Sequence, residues 1–140
     1  MRKDRFSFVA AGALLMLSAC TVATKNHQTI SLSHEVTEQL AANYSEEIAR
    51  EYPPAGYVLT LSRETPFGAT LWSALQEKGY RLTDRPLEGA TDISYVVDSL
   101  GEGIGLSVVS IGSNLRMSRS FSLNDATIKT AGMTVERRVE

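Results

Sequence analysis

The chain has one cysteine, Cys20, and it closes the string Leu17-Ser18-Ala19-Cys20 at the end of a short apolar N-terminal segment. A single thiol rules out any disulfide within the chain, so the fold must rest on packing and hydrogen bonds. The preceding segment is organised like a secretory signal. Arg2, Lys3 and Arg5 are basic, Phe6 to Leu17 is almost entirely apolar or small, and Ser18-Ala19 supplies the small residues a signal peptidase needs. The apolar run of about 12 residues falls short of the roughly 20 that span a bilayer. A core helix would not need three basic residues among its first five positions, and a structural cysteine would have no reason to occupy the cleavage position. Residues 1–19 are therefore expected to be a signal peptide, outside the folded part.

With leucine three positions before the cysteine, the string resembles the lipobox of bacterial lipoproteins. The resemblance implies cleavage between Ala19 and Cys20, a diacylglycerol on the Cys20 sulfur and acylation of the freed amine. One acyl chain gives only reversible attachment, at about 0.8 kcal/mol per buried methylene, whereas several hold a protein durably on a membrane. Thr21 stands where an aspartate would resemble the inner-membrane retention signal of enteric bacteria. In a double-membraned bacterium this implies the outer membrane, with the protein facing the periplasm.

Removing three basic residues and one acidic residue with segment 1–19 reduces the chain's 14 and 16 to 11 and 15, a formal charge of −4. Mild acidity argues against nucleic-acid binding, which needs a basic patch to displace counterions. It argues equally against electrostatic attraction to anionic lipid. The membrane is thus expected as a partner only through lipidated Cys20. The remaining length suits one domain with one core.

Residues 20–31 are polar and aperiodic and are expected to tether the lipid to a single α+β domain over residues 32–138. From Ser33 to Glu51, Val36, Leu40, Tyr44 and Ile48 recur every fourth residue, the stripe of an amphipathic helix capped by Ser33 and stopped by Pro53-Pro54. Gly56 to Ser62 switches to alternation and reads as a strand. Thr65-Pro66 opens a second helix with a capping hydroxyl and a proline at its first position, and Gly79 suits its C-terminal end. Phe67 and Trp72 are expected to be core anchors of this helix rather than ligand stackers. Tyr80 to Thr83 is expected as a brief strand.

Asp92 to Leu100, Ile104 to Ile111 and Leu115 to Leu123 then alternate as three strands, joined at Gly101-Glu102-Gly103 and Gly112-Ser113-Asn114. Thr127 to Thr130 or Met133 to Arg137 is available for a further edge strand. The expected fold is two helices on a mainly antiparallel sheet of about four to five strands ending in a β-meander. Arg119 breaks the apolar face of its strand and is expected near a sheet edge, its stem packed and its head in water.

No catalytic constellation emerges. His27 and His34 lie in the tether and the first turn of the first helix. Gly101-x-Gly103-x-Gly105 joins two strands and opens no helix, so it does not match a phosphate loop. Ser118, Ser120 and Ser122 share a strand face without a nearby base, and Asp92 and Asp98 have no evident acid partner. No catalytic, metal-ligating or cofactor-binding residue is expected, and the chain does not read as an enzyme.

The lipobox, the polar tether, the proline-terminated first helix and the strings Tyr95-Val96-Val97-Asp98 and Ser118-Arg119-Ser120-Phe121 together resemble the conjugal transfer protein TrbH family. The similarity covers most of residues 1–138, including the helix from Thr65 to the Gly79-Tyr80 pair. It implies a small lipoprotein of the mating-pair formation apparatus of a plasmid type IV secretion system. Such a protein would act by contact with other channel proteins, with an oligomeric arrangement open within the assembly and no catalytic residues to carry over. The alternative is a lipoprotein that assists outer-membrane or lipopolysaccharide assembly by binding a lipid or a partner, which requires a sizeable apolar pocket. A hydrolase would require a deep cleft with coupled polar groups.

Overall fold

The computed structural model describes residues 26–124 and 132–138. Residues 1–19, expected to be a signal peptide and ending in Ala19, together with Cys20 and the Thr127 to Thr130 segment, lie outside them. In chain order the elements are β1 (His27–Gln28), α1 (His34–Glu51), β2 (Val58–Thr60), α2 (Pro66–Glu77), β3 (Arg81–Thr83), β4 (Thr91–Gly101), β5 (Ile104–Ile111), β6 (Leu115–Ser122) and β7 (Thr134–Arg137).

Both helices form where the sequence punctuates them. Ser33 Oγ accepts from Val36 N at 3.2 Å, and Tyr52 N still bonds Ile48 O at 2.8 Å before Pro53 ends α1. Thr65 Oγ1 accepts from Gly68 N at 3.0 Å, and beyond α2 Gly79 takes the left-handed angle of +93° that only glycine adopts without cost.

The sheet departs from the expected meander in two ways. Among the described residues it has seven strands, in the order β3-β2-β4-β5-β6-β7, with β1 also paired to β4. It is also mixed: β1, β2 and β3 pair in parallel, and only β4 to β7 run antiparallel. The parallel part follows from α2, because a helix between β2 and β3 returns the chain in its original direction. Two short strands share one edge of β4: β2 sits against Thr91 and Asp92, and β1 against Val96 and Val97.

β1 corrects the expected tether. His27 and Gln28 pair with Val96 and Val97, and Thr29 N bonds Val97 O at 2.9 Å. Gln28 does more than pair: its Oε1 accepts from Phe67 N at 3.0 Å, at the first turn of α2. So short a polar strand leaves no periodic trace in the sequence, which is why it reads as linker.

The core lies between one face of the sheet and both helices. Val36, Leu40, Tyr44 and Ile48 of α1 and Phe67, Leu71 and Leu75 of α2 meet Ile93, Tyr95, Val97, Val109, Ile111, Met117 and Phe121. Tyr44, Phe67 and Tyr95 link α1, α2 and β4 edge to face, with centroids 6.1 and 5.2 Å apart. Phe67 is the expected core anchor. Trp72 is only half-buried and carries the Arg63 guanidinium 4.2 Å above its ring. Among the described residues no helix covers the opposite face of β4, β5 and β6.

Candidate functional surfaces

Three polar groups meet inside the core. Tyr44 Oη lies 2.7 Å from Ser107 Oγ and 3.1 Å from Ser107 O, and Ser107 Oγ donates to Arg119 O at 3.2 Å. The tyrosine hydroxyl therefore donates to Ser107, fastening α1 to β5. Burial pushes the Tyr44 hydroxyl up to about 12, while the Ser107 bond and the Arg119 charge pull the other way. A hydroxyl held neutral in a closed core is a tie, not a nucleophile.

Arg119 corrects its expected placement. It is 9 % exposed, and its Nε is buried without a hydrogen-bond partner. Among the described residues β7 pairs only with Leu115 to Ser118, so Arg119 does stand just past the end of that ladder, and its burial comes from the face it occupies rather than from a neighbouring strand. The side chain points with Met117 and Phe121 onto the core face, where α1 packs.

A second hydroxyl cluster joins α2 to β4. Tyr95 Oη lies 2.5 Å from Thr65 Oγ1 and bonds Ser62 O at 3.4 Å. Near the far end of β4, the Asp98 carboxylate accepts from Thr29 Oγ1 and, at 2.7 Å, from Ser99 N. These bonds, the Thr29 hydroxyl foremost, hold its pKa below the usual carboxylate range. Sequence inspection passed over Thr29, because a threonine in a polar stretch gives no sign of its strand partner.

The remaining sequence candidates do not converge. His27 sits in β1, whereas His34 opens α1 on the surface and lies 3.0 Å from Glu38. Asp92 and Asp98 stand six positions apart along β4. Gly101 and Gly103 take positive φ angles of 84° and 76° in the β4–β5 turn and lead into a strand, not a helix. Ser118, Ser120 and Ser122 line the sheet face opposite the helices. No group of three or more His, Cys, Asp or Glu side chains suited to a metal ion occurs among the described residues. No helix there is long and apolar enough to cross a membrane.

The surface hollows are shallow. One of about 470 Å³ is walled by Ser62, Arg63, Glu64, Asp84 and Arg85, where Arg63 donates to Asp84 at 3.0 Å. A hollow of about 190 Å³ is lined in part by Leu32, Val36, Phe121 and Leu123. It is smaller than the roughly 300–1,000 Å³ of small-molecule sites. Neither hollow is lined by Tyr44, Ser107 or Arg119.

These features describe a small two-layer α+β domain whose polar core groups serve packing and whose open ground is surface. The family model for conjugal transfer protein TrbH matches residues 20–138, and the chain belongs to that family. No curated protein and no solved structure matches it.

Proposed function

We propose that the protein is a lipid-anchored structural component of a conjugal transfer, type IV secretion, apparatus. It sits at the periplasmic face of the outer membrane and acts by contact with other channel proteins. The observation that carries this reading is the coincidence of two boundaries. The family match begins at Cys20, the residue that the lipobox resemblance makes the first of the mature chain. The architecture supports a contact role: hydrogen-bonded hydroxyl clusters tie the helices to the sheet, and among the described residues no helix covers its other face.

The test is purification of the protein from envelopes of plasmid-bearing cells in mild detergent, with plasmid transfer measured in a deletion strain. Channel subunits should co-purify and transfer should fall. A protein that runs alone, and whose deletion leaves transfer unchanged, refutes the proposal.

A further inference from the structure

The docking of β1 makes the leash between Cys20 and the folded domain short. β1 lies against the middle of β4, with His27 opposite Val96, so Asn26 is level with Tyr95. Six Cα steps separate Asn26 from Cys20, and fully extended they span about 21 Å. The 11 residues of β4 themselves run about 36 Å. An anchor at Cys20 therefore keeps the domain at the bilayer surface, within reach of either end of its sheet.

The two ends differ in chemistry. Five large apolar side chains are exposed by more than a third among the described residues, and three of them, Leu100, Ile104 and Leu123, meet at the β4–β5 turn at 61, 44 and 36 %. Gly101 pairs with Ile104, Ile104 with Ser122, and Leu123 N bonds Gly103 O at 2.7 Å, so the three surround one turn. Leu32, Val36 and Phe121 carry the apolar surface on toward α1, lining with Leu123 the hollow of about 190 Å³. The opposite end, at the β5–β6 turn, is polar and charged: Ser113, Asn114, Arg116, Glu136 and Arg138 wall a hollow of about 280 Å³. Leu100 lies five residues along and one strand spacing across from Asn26, about 17 Å, inside the leash.

We propose, resting on the acylation of Cys20, that the β4–β5 turn is a second membrane contact. Leu100, Ile104 and Leu123 dip into the headgroup–acyl boundary of the leaflet that holds the Cys20 acyl chains. Tethering makes this contact intramolecular, so three side chains suffice where a free domain would dissociate. Glu102, at the apex of the turn with a φ of 54°, keeps the contact shallow, because a carboxylate is costly in hydrocarbon. The attraction is apolar, and Glu102 together with Glu35 in the first turn of α1 repels anionic lipid, so added salt strengthens it. The domain then stands end-on, with the β5–β6 turn pointing away from the bilayer toward other proteins.

Depth-dependent quenching in the full acylated chain tests it. Ile104→Cys and Ser113→Cys, made separately, each carry an environment-sensitive fluorophore, since acylation blocks the Cys20 thiol. Each is reconstituted into vesicles of phosphatidylethanolamine and phosphatidylglycerol containing nitroxide-labelled lipid. The label at position 104 should be quenched about threefold more than the label at position 113. Raising salt from about 50 to about 500 mM should increase that quenching. Adding Leu100→Asp should bring it down to the level at position 113, with circular dichroism checking that the variant folds. Flotation with the vesicles is scored separately. A chain that does not float lacks the anchor, and the anchored reading falls together with the turn contact. A chain that floats but is quenched equally at both positions overturns the turn contact alone. So does quenching that salt abolishes, or a label at position 104 shielded only when other envelope proteins are added.

Discussion

Tyr95 of β4 occupies the space that a side chain at Gly68 of α2 would need. A Cβ built on Gly68 lies 2.3 Å from Tyr95 Oη and 2.3 Å from the Ser62 carbonyl oxygen. Alanine ordinarily stabilises a helix interior relative to glycine by up to about 1 kcal/mol. Here the contact is partly with backbone, so overpacking outweighs propensity. Gly68→Ala should lower stability by about 1–3 kcal/mol in urea unfolding. Adding Tyr95→Phe should recover only part of the loss, because the Ser62 contact remains. A stabilised Gly68→Ala would show that α2 packs less closely on β4 than described.

The same principle operates between strands at Gly105 and Phe121, directly opposite each other in β5 and β6. A Cβ on Gly105 meets the Phe121 ring at 2.4 Å. Gly105→Ala should cost about 1–3 kcal/mol, and pairing it with Phe121→Leu should cost less than the two single changes added together. A double-mutant cycle in denaturant measures that coupling. Strict additivity would mean that the ring does not cover the glycine.

These two glycines show why part of the fold was legible in the sequence and part was not. Helix caps, the stripe Val36-Leu40-Tyr44-Ile48 and the alternation from Asp92 to Leu123 are local signals, and the elements follow them closely. Gly68 and Gly105 lie inside regular elements, and only a distant ring explains either one. β1 is two residues long and polar, so its pairing with Val96 and Val97 depends wholly on tertiary context. The parallel pairing of β2 and β3 was implied by the intervening helix, but a β-meander reading of the later strands hid it. The surface was legible only once register was known: β7 is what sets Glu136 opposite Arg116, 20 positions away in the chain.

Arg119 offers a test of what a buried charge contributes. Its Nε has no hydrogen-bond partner, and among the described residues it forms no ion pair. Burying an N–H of a charged group without a partner is costly, and an apolar chain of similar length avoids that cost. Arg119→Met should raise stability by about 1 kcal/mol. Arg119→Ala should lower it by about 2 kcal/mol, because the packed stem leaves a cavity. Equal losses in both variants, measured by urea unfolding, would mean that the guanidinium itself is held.

For the proposed anchor, Cys20→Ser separates attachment from folding. The substitution lies outside the described domain, so its circular dichroism spectrum and melting temperature should match those of the parent protein. Incorporation of radiolabelled palmitate and recovery in the membrane fraction should both be lost, since a hydroxyl does not replace the thiolate as the acceptor nucleophile. Palmitate still entering the Cys20→Ser chain would contradict the assignment.

Tyr44 makes an alkaline prediction whose direction follows from its burial. Its folded-state pKa stands above the ordinary value of 10.0, at about 12, so the folded state resists losing this proton more than the unfolded chain does. The contribution is complete below pH 10 and is lost as the pH rises from 10 to 12, on the order of 3 kcal/mol at most. Tyr52 and Tyr80, also raised by burial, add a slope of the same sign. Tyr44→Phe should therefore cost about 1 kcal/mol at neutral pH, through the lost bond to Ser107, and should fall less steeply than the parent between pH 9 and 11.5. Urea unfolding across that range measures both slopes, and absorbance at 295 nm follows the tyrosinates. Parallel slopes for the two proteins would show that water reaches the Tyr44 hydroxyl and that α1 does not seal it against Ser107.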